Sequence, residues 1–202
     1  MPNPKPLPFK LDESLEIPKW RASTFWSKEP ETVVWIDRYL SKRTNITVFI
    51  DVGANIGIYS LYATSVNRKV KVIAIEPIPE TYFELIKNIE LNKISGQVEP
   101  INAALSFMEG TGQMIGSDGR VGSSGAQLII GDGSTGSSIR TTTGDQLLSR
   151  QVNSRALVKI DTDGNEFDVL SGFKKSFEKN LVESILVETT SATESQIDEI
   201  LK

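Results

Sequence analysis

A doubly wound, mostly parallel α/β sheet with helices on both faces is the fold this sequence predicts, on three observations. Short apolar, largely β-branched runs recur at Val48–Val52, Val70–Ile75, Val98–Leu105, Ala156–Ile160 and Ser184–Glu188, each the length of a strand buried on both faces. Helical patterns fall between them, at Pro79–Asn92 and Asn165–Phe177, and that alternation builds a parallel sheet through right-handed crossovers. The first run closes on Gly53, where a tight turn must feed a helix at once.

Pro2, Pro4, Pro6 and Pro8 remove alternate backbone donors, so residues 1–28 read as an N-terminal arm whose Pro-rich start is flexible or loosely docked. The domain proper then spans 29–202. Pro30 suits a first helical position and Val33, Ile36 and Leu40 share a face, which predicts a helix of about ten residues ahead of the first strand. Trp20, Phe25, Trp26 and Trp35 cluster before the core; they suit either packing against the sheet or an apolar platform for a sugar ring. In the helix at Pro79–Asn92, Tyr82, Leu85, Ile86 and Ile89 face the sheet. Residues 110–136 hold nine of the fifteen glycines with apolar islands only at Met114–Ile115 and Leu128–Ile130, the pattern of a flexible hairpin excursion that could serve as a lid.

Composition excludes much chemistry. A chain of 202 residues, 39% hydrophobic and 24% charged, buries one sizeable core. A net charge of −4 disfavours nucleic acid as a partner. No apolar run spans a bilayer and the start lacks a signal-peptide core, so a cytoplasmic protein without membrane partners is expected. With no Cys and no His, disulfide frameworks, thiolate nucleophiles, Ser-His-Asp hydrolysis and His-based metal hydrolysis are all ruled out.

Three constellations carry what chemistry remains. Asp51-Val-Gly53-Ala54-Asn55-Ile-Gly57 lies between strand and helix, where glycines and free N–H groups let a ligand approach the backbone. Glu76 ends the second strand, the position from which a carboxylate accepts hydrogen bonds from ribose hydroxyls. A nucleoside cofactor follows, and its type is set by charge: Asp51 repels a pyrophosphate and suits a sulfonium or ammonium, which favours S-adenosylmethionine over a nicotinamide dinucleotide. The third segment, Val158-Lys159-Ile-Asp161-Thr-Asp163-Gly-Asn-Glu166, opens on the same crevice. Gly164 comes too early for an EF-hand loop, so no metal site is assigned. Without His, the chemistry falls to carboxylates, Lys, Tyr, hydroxyls or a cofactor; where a hydroxyl has to lose its proton, Asp161 or Glu166 is the candidate base, with Lys159 as electrostatic helper.

VFIDVGANIGIYS, IAIEPIPETYFELIKNIELN and VKIDTDGNEFDVLSGF, in that order, closely resemble the FkbM family of S-adenosylmethionine-dependent methyltransferases. EPETVVWIDRYL upstream and ILVETT downstream resemble its flanks, so the likeness covers about residues 30 to 200. The resemblance implies a Rossmann-like class I methyltransferase fold and methylation of a hydroxyl on a sugar, polyketide or related metabolite. It also implies that Asp51, Gly53, Ala54, Asn55 and Gly57 surround the methionine part of the cofactor and Glu76 holds the ribose. Pro77 and Ile78 then border the adenine, with Asn102 and Ala103 at its edge. Asp161 and Glu166 fall on the family's I-D-x-E-G-x-E motif, in which Asp163 here replaces a Glu.

Class I methyltransferases normally end with a further helix and an antiparallel strand pair. Here the sequence stops at Lys202, inside a helix predicted at Gln196–Leu201. The expectation is a truncated domain that lacks the strand pair and leaves an exposed sheet edge, a surface through which copies could pair. Two alternatives to an O-methyltransferase stand at this point. A nicotinamide oxidoreductase lacks support from a G-x-G-x-x-G loop or a Tyr-x-x-x-Lys pair, and a non-catalytic module would keep the cofactor fold alone.

Overall fold

The structure, a computed structural model, describes residues 5–41, 45–131, 138–151, 154–189 and 197. The predicted helix Gln196–Leu201 lies outside the described residues apart from Ile197. Two helices, α1 (Glu16–Lys28) and α2 (Pro30–Leu40), precede β1 (Ile46–Val52). Then come α3 (Ile58–Val66), β2 (Lys71–Ile75), α4 (Pro79–Leu91) and β3 (Val98–Ile101). Four short strands follow: β4 (Ala104–Leu105), β5 (Gly110–Ile115), β6 (Gln127–Ile130) and β7 (Ser138–Thr142). The chain continues through α5 (Gly144–Ser149), β8 (Arg155–Ile160), α6 (Glu166–Ser171), α7 (Lys174–Glu178) and β9 (Val182–Val187).

The five predicted strands form one parallel sheet in the order β3-β2-β1-β8-β9. Order reverses beside β1, so the carboxyl ends of β1, β2 and β8 border the crevice where such sheets bind ligands. Apolar residues cover both faces. Phe49, Val72 and Leu157 meet α2 and α3 through Ile36, Leu61 and Ala63 on one side. On the other, Val48, Ile50 and Val158 meet Leu147, Val169, Leu170 and Phe173.

Three segments differ from the sequence reading. The third predicted strand breaks after Ile101 because the Asn102 side chain turns back to donate to the Glu76 and Pro77 carbonyls, at 2.9 and 3.0 Å. Beyond the break β4 joins β7, β5 and β6 in a second sheet, β4-β7-β5-β6. The hairpin read from Met114 and Leu128 is present within it, with those two residues in register. The helix predicted over Asn165–Phe177 breaks at Gly172, where a β-carbon would lie 2.3 Å from the Ser106 carbonyl oxygen. The Asp145 carboxylate then caps α7, accepting from the backbone N–H of Lys175 and Ser176 and from the Ser176 hydroxyl.

The arm is docked where it is described. Phe9 and Leu11 alternate into the core, while the Lys10 and Asp12 N–H groups donate to the Asn92 and Asn88 side chains of α4, at 2.8 and 2.7 Å. Phe25 is 2% exposed and sits edge-on to Phe9, Trp26 and Tyr62. Of the two readings of the aromatic cluster, packing holds for Phe25, Trp26 and Trp35, whereas Trp20 is exposed.

Candidate active site

The turn between β1 and α3 is held between the two neighbouring strands. Gly53 and Ala54 donate their backbone N–H groups to the Ile75 carbonyl of β2, at 3.0 and 2.9 Å, and Asp161 donates to the Val52 carbonyl at 3.1 Å. Gly53 has φ +73°, and a β-carbon there would fall 1.8 Å from the Asp161 carbonyl oxygen. Only glycine permits that approach. Asn55 also takes the left-handed region, φ 52°, which asparagine tolerates.

Glu76, 5% exposed, is anchored to this turn. Its Oε2 accepts from the Asn55 N–H and its Oε1 from the Ile78 N–H, both at 2.9 Å. Burial outweighs these bonds and pushes the carboxyl from its ordinary 4.5 up to about 7. The folded chain therefore binds more protons than the unfolded one between those values, and this group's contribution to stability falls as pH rises from 4.5 to 7. Thermal melts across that window should show the wild type losing stability relative to Glu76→Gln as pH rises. A constant difference between the two would contradict the burial argument.

A cleft of about 880 Å³, taken out to its open mouth, runs along the carboxyl ends of β2, β1 and β8. Of the residues singled out from sequence, Gly53, Asn55, Glu76, Pro77, Ile78, Ala103 and Asp161 line it. Asp51, Ala54, Gly57, Asn102, Lys159 and Glu166 are not among its lining residues. Gly57 heads α3, and Asn102 fixes the Glu76–Pro77 backbone as described above. The Glu166 Oε1 accepts from the Gly164 N–H and the Thr162 hydroxyl, at 2.8 and 3.1 Å, so it closes the loop that carries Asp161. Asp163 and Asn165 bind the second sheet: Asp163 accepts from the Gly125 N–H at 2.7 Å, and Asn165 pairs with the Leu128 backbone.

Asp51 lies beneath the turn, wholly buried. Its Oδ2 accepts from the Ser60 hydroxyl at 2.7 Å, while Oδ1 has no hydrogen-bond partner. The nearest cation is Lys159, in register on β8, at 3.9 Å. Lys159 reaches Asp161, two residues on along the same strand, at 2.9 Å, and its ammonium lies 5.0 Å from the Tyr59 ring centre. Burial pushes Asp51 up and pulls Lys159 down, but the two carboxylates outweigh burial at Lys159 and hold it above its usual range. Asp161 falls well below the usual carboxylate range because Lys159 and a hydrogen bond with Glu188 overcome its own burial.

The lining residues not read from sequence as site residues include Arg21 and Lys28 from α1, Ser123 from the loop between β5 and β6, and Glu188. Glu188 directly follows β9 as Glu76 directly follows β2, so the same strand-end argument finds it. Arg21 and Ser123 belong to a cover over the cleft. The loop's Gly122 carbonyl accepts from Arg21 Nε, its Ser123 carbonyl from Asn55 Nδ2, and its Gly122 N–H reaches the Thr81 hydroxyl. Asn55→Gly keeps the permitted backbone but removes one clasp; it should leave global stability within about 1 kcal/mol. Trypsin should then cleave the exposed Arg120 faster than in the wild type, with an unchanged rate counting against the cover.

The profile of the Methyltransferase FkbM domain matches residues 51–202. The chain belongs to the FkbM methyltransferase family. Among curated proteins this FkbM domain is 30% identical over 142 residues to the hexuronic acid methyltransferase AglP of Haloferax volcanii, covering 70% of this chain and 55% of that one. It is 39% identical over 62 residues to the methyltransferase sdnD of Sordaria araneosa, 31% of this chain and 24% of the other. The chain thus spans about half of AglP or less of each relative. Among solved structures, the FkbM methyltransferase of Methylobacillus flagellatus superposes with a TM-score of 0.54 at 14% identity, over 92% of this chain and 46% of that one. A human methyltransferase 10 domain containing protein gives 0.50 at 12% identity, over 86% and 67%. Both show the class I methyltransferase fold. Methyltransferases of this family imply an S-adenosylmethionine-type cofactor, and the FkbM cleft suits one: it offers a strand-end carboxylate fixed by two backbone donors, with acceptor capacity left over.

Proposed function

We propose that the chain is an S-adenosylmethionine-dependent O-methyltransferase acting on a hydroxyl of a sugar or another small metabolite. The observation that carries this reading is the position of Glu76, pinned by the Asn55 and Ile78 N–H groups where the cleft crosses from β1 to β2. Glu76 would accept from the ribose hydroxyls, Pro77, Ile78 and Ala103 would flank the adenine, and Gly53 and Asn55 would face the methionine part. When bound, the cofactor supplies a methyl group on a sulfonium, and the reaction needs an acceptor oxygen held in line with it. Asp51 acts from below, fixing Ser60 of α3 and Lys159 of β8; Glu166 acts by shaping the Asp161 loop. Lys159 holds Asp161 in place as the acceptor-side carboxylate.

AglP is named for hexuronic acid, which offers both hydroxyl and carboxylate oxygens. The second cleft, at the ends of β8 and β9, is lined by the carboxylates of Glu29, Glu31 and Asp161 against one cation, Lys159, which Asp161 already engages. Those carboxylates repel an anionic acceptor group and accept hydrogen bonds from hydroxyls, which favours the hydroxyl. Small-molecule or glycan acceptors fit this reading, and nucleic acid does not. Transfer of labelled methyl from S-adenosylmethionine to a panel of neutral sugars, uronic acids and polyketide alcohols tests it. Labelled ethers on hydroxyls are expected; labelled esters, or no product with any acceptor, would overturn it.

A further inference from the structure

We propose that Asp161 and Glu188 work as one carboxyl pair that receives the acceptor's hydroxyl proton, Glu188 being the member that carries it away. The inference rests on the O-methylation reading above and names the base within it. β8 and β9 run parallel with Ile160 opposite Val187 as their last paired residues. The Glu188 N–H continues the ladder by donating to the Ile160 carbonyl at 2.9 Å. Asp161 and Glu188 therefore leave neighbouring strands side by side, at the strand spacing of about 4.8 Å. Both residues line the cofactor cleft, and both also line the second cleft beside Glu29, Thr32 and Leu186. They form the boundary at which an acceptor entering by the second cleft would meet the methyl donor.

Two carboxyls set side by side at neighbouring strand ends do not both ionise freely, so the pair holds one proton between them, which moves Asp161 down and Glu188 up. Lys159 determines where it rests. Its ammonium bonds Asp161 and keeps that member ionised, leaving Glu188 as the protonated one. The hydrogen bond and charge of Asp161, then burial, push Glu188 up to about 8. Lys159 and Asp161 on β8, Lys28 on α1, Glu29 beside it and Glu31 on α2 are the charged groups around the pair.

The balance of the step is as follows. With Glu188 ionised, the acceptor O–H bond breaks and its proton joins a Glu188 Oε. The acceptor oxygen forms a bond to the methyl carbon as the carbon–sulfur bond breaks, its electron pair remaining on sulfur. The exposed Glu188 then returns the proton to water. Turnover should rise with pH through about 8.

Wild type, Glu188→Gln and Glu188→Asp test the pair. Difference infrared spectra over pH should show a protonated-carboxyl band in the wild type that disappears with a midpoint of about 8 and is missing from Glu188→Gln. Glu188→Gln should lose about 100-fold or more in kcat together with the alkaline rise, and Glu188→Asp should recover part of both. S-adenosylhomocysteine affinity should fall far less than kcat, since Glu188 stands at the boundary of the two clefts and away from the Glu76 end. A hydroxyl-methylating wild type whose Glu188→Gln variant keeps its rate and pH rise overturns the pair alone, as does a band of midpoint about 8 that survives the substitution in a Glu76→Gln background, where the Glu76 band near 7 is removed. Methylation of carboxylates and not hydroxyls by the wild type overturns the underlying O-methylation reading instead, and with it the need for a base.

Discussion

Replacing Gly53 with alanine is expected to abolish cofactor binding and to destabilise the fold. The left-handed backbone costs an L-residue about 1–2 kcal/mol, and the new β-carbon would overlap the Asp161 carbonyl oxygen, 1.8 Å away. That oxygen is backbone at the end of β8 and cannot rotate aside, so either the turn or the strand end must move. A total of about 3 kcal/mol or more is expected, which for a chain this long lowers Tm by about 6–12 °C. Moving the turn also pulls the Asn55 N–H from Glu76, and S-adenosylhomocysteine affinity should fall by about 100-fold or more. Gly96→Ala is the control, because its β-carbon meets nothing within 4 Å; it should be close to neutral. Calorimetric melts and binding titrations check both variants, and a Gly53→Ala protein that binds normally would show that the turn is not the cofactor loop.

Lys159→Met should be the most destabilising change to a charged residue. Lys159 is 3% exposed and its ammonium faces two carboxylates, Asp51 at 3.9 Å and Asp161 at 2.9 Å. Removing one member of a buried ion pair leaves an uncompensated charge, worth about 3–5 kcal/mol. Asp51 suffers most, since its Oδ1 has no hydrogen-bond partner and Lys159 is the cation beside it. Adding Asp51→Asn to Lys159→Met should therefore restore part of the loss instead of adding to it. Denaturant melts of the two single variants and the double variant measure the coupling. Additive losses would contradict the electrostatic account of this buried face.

The large sheet was legible because its central strands β1, β2 and β8 are apolar, largely β-branched runs buried on both faces, and the periodicity of α2 and α4 is strong. The helix α1 was missed: Pro18, Ala22 and Phe25 are its buried residues, too few to mark a face among its polar ones. The second sheet was visible only as the Met114–Leu128 hairpin. Its remaining strands, Ala104–Leu105 and Ser138–Thr142, are respectively too short and too polar to announce themselves, and they are fixed by pairing with distant strands. At the site, Gly53, Asn55, Glu76 and Asp161 follow from strand-end chemistry and stand in one cleft. Asp51 and Glu166 carry the right chemistry in the sequence, yet local geometry turns one under the sheet and the other into its own loop. Arg21 and Lys28 could not be placed, because their position depends on α1 folding back over the cleft. Glu188 could have been, by the reasoning applied to Glu76.

The most direct measurement of the central claim is calorimetric titration of the chain with S-adenosylhomocysteine and, separately, with NADH, for the wild type and for Glu76→Ala. The site geometry predicts saturable binding of S-adenosylhomocysteine to the wild type, a loss of about 100-fold or more in Glu76→Ala, and no heat of binding with NADH. Tight NADH binding without any response to S-adenosylhomocysteine, or equal S-adenosylhomocysteine affinity in both proteins, would contradict it.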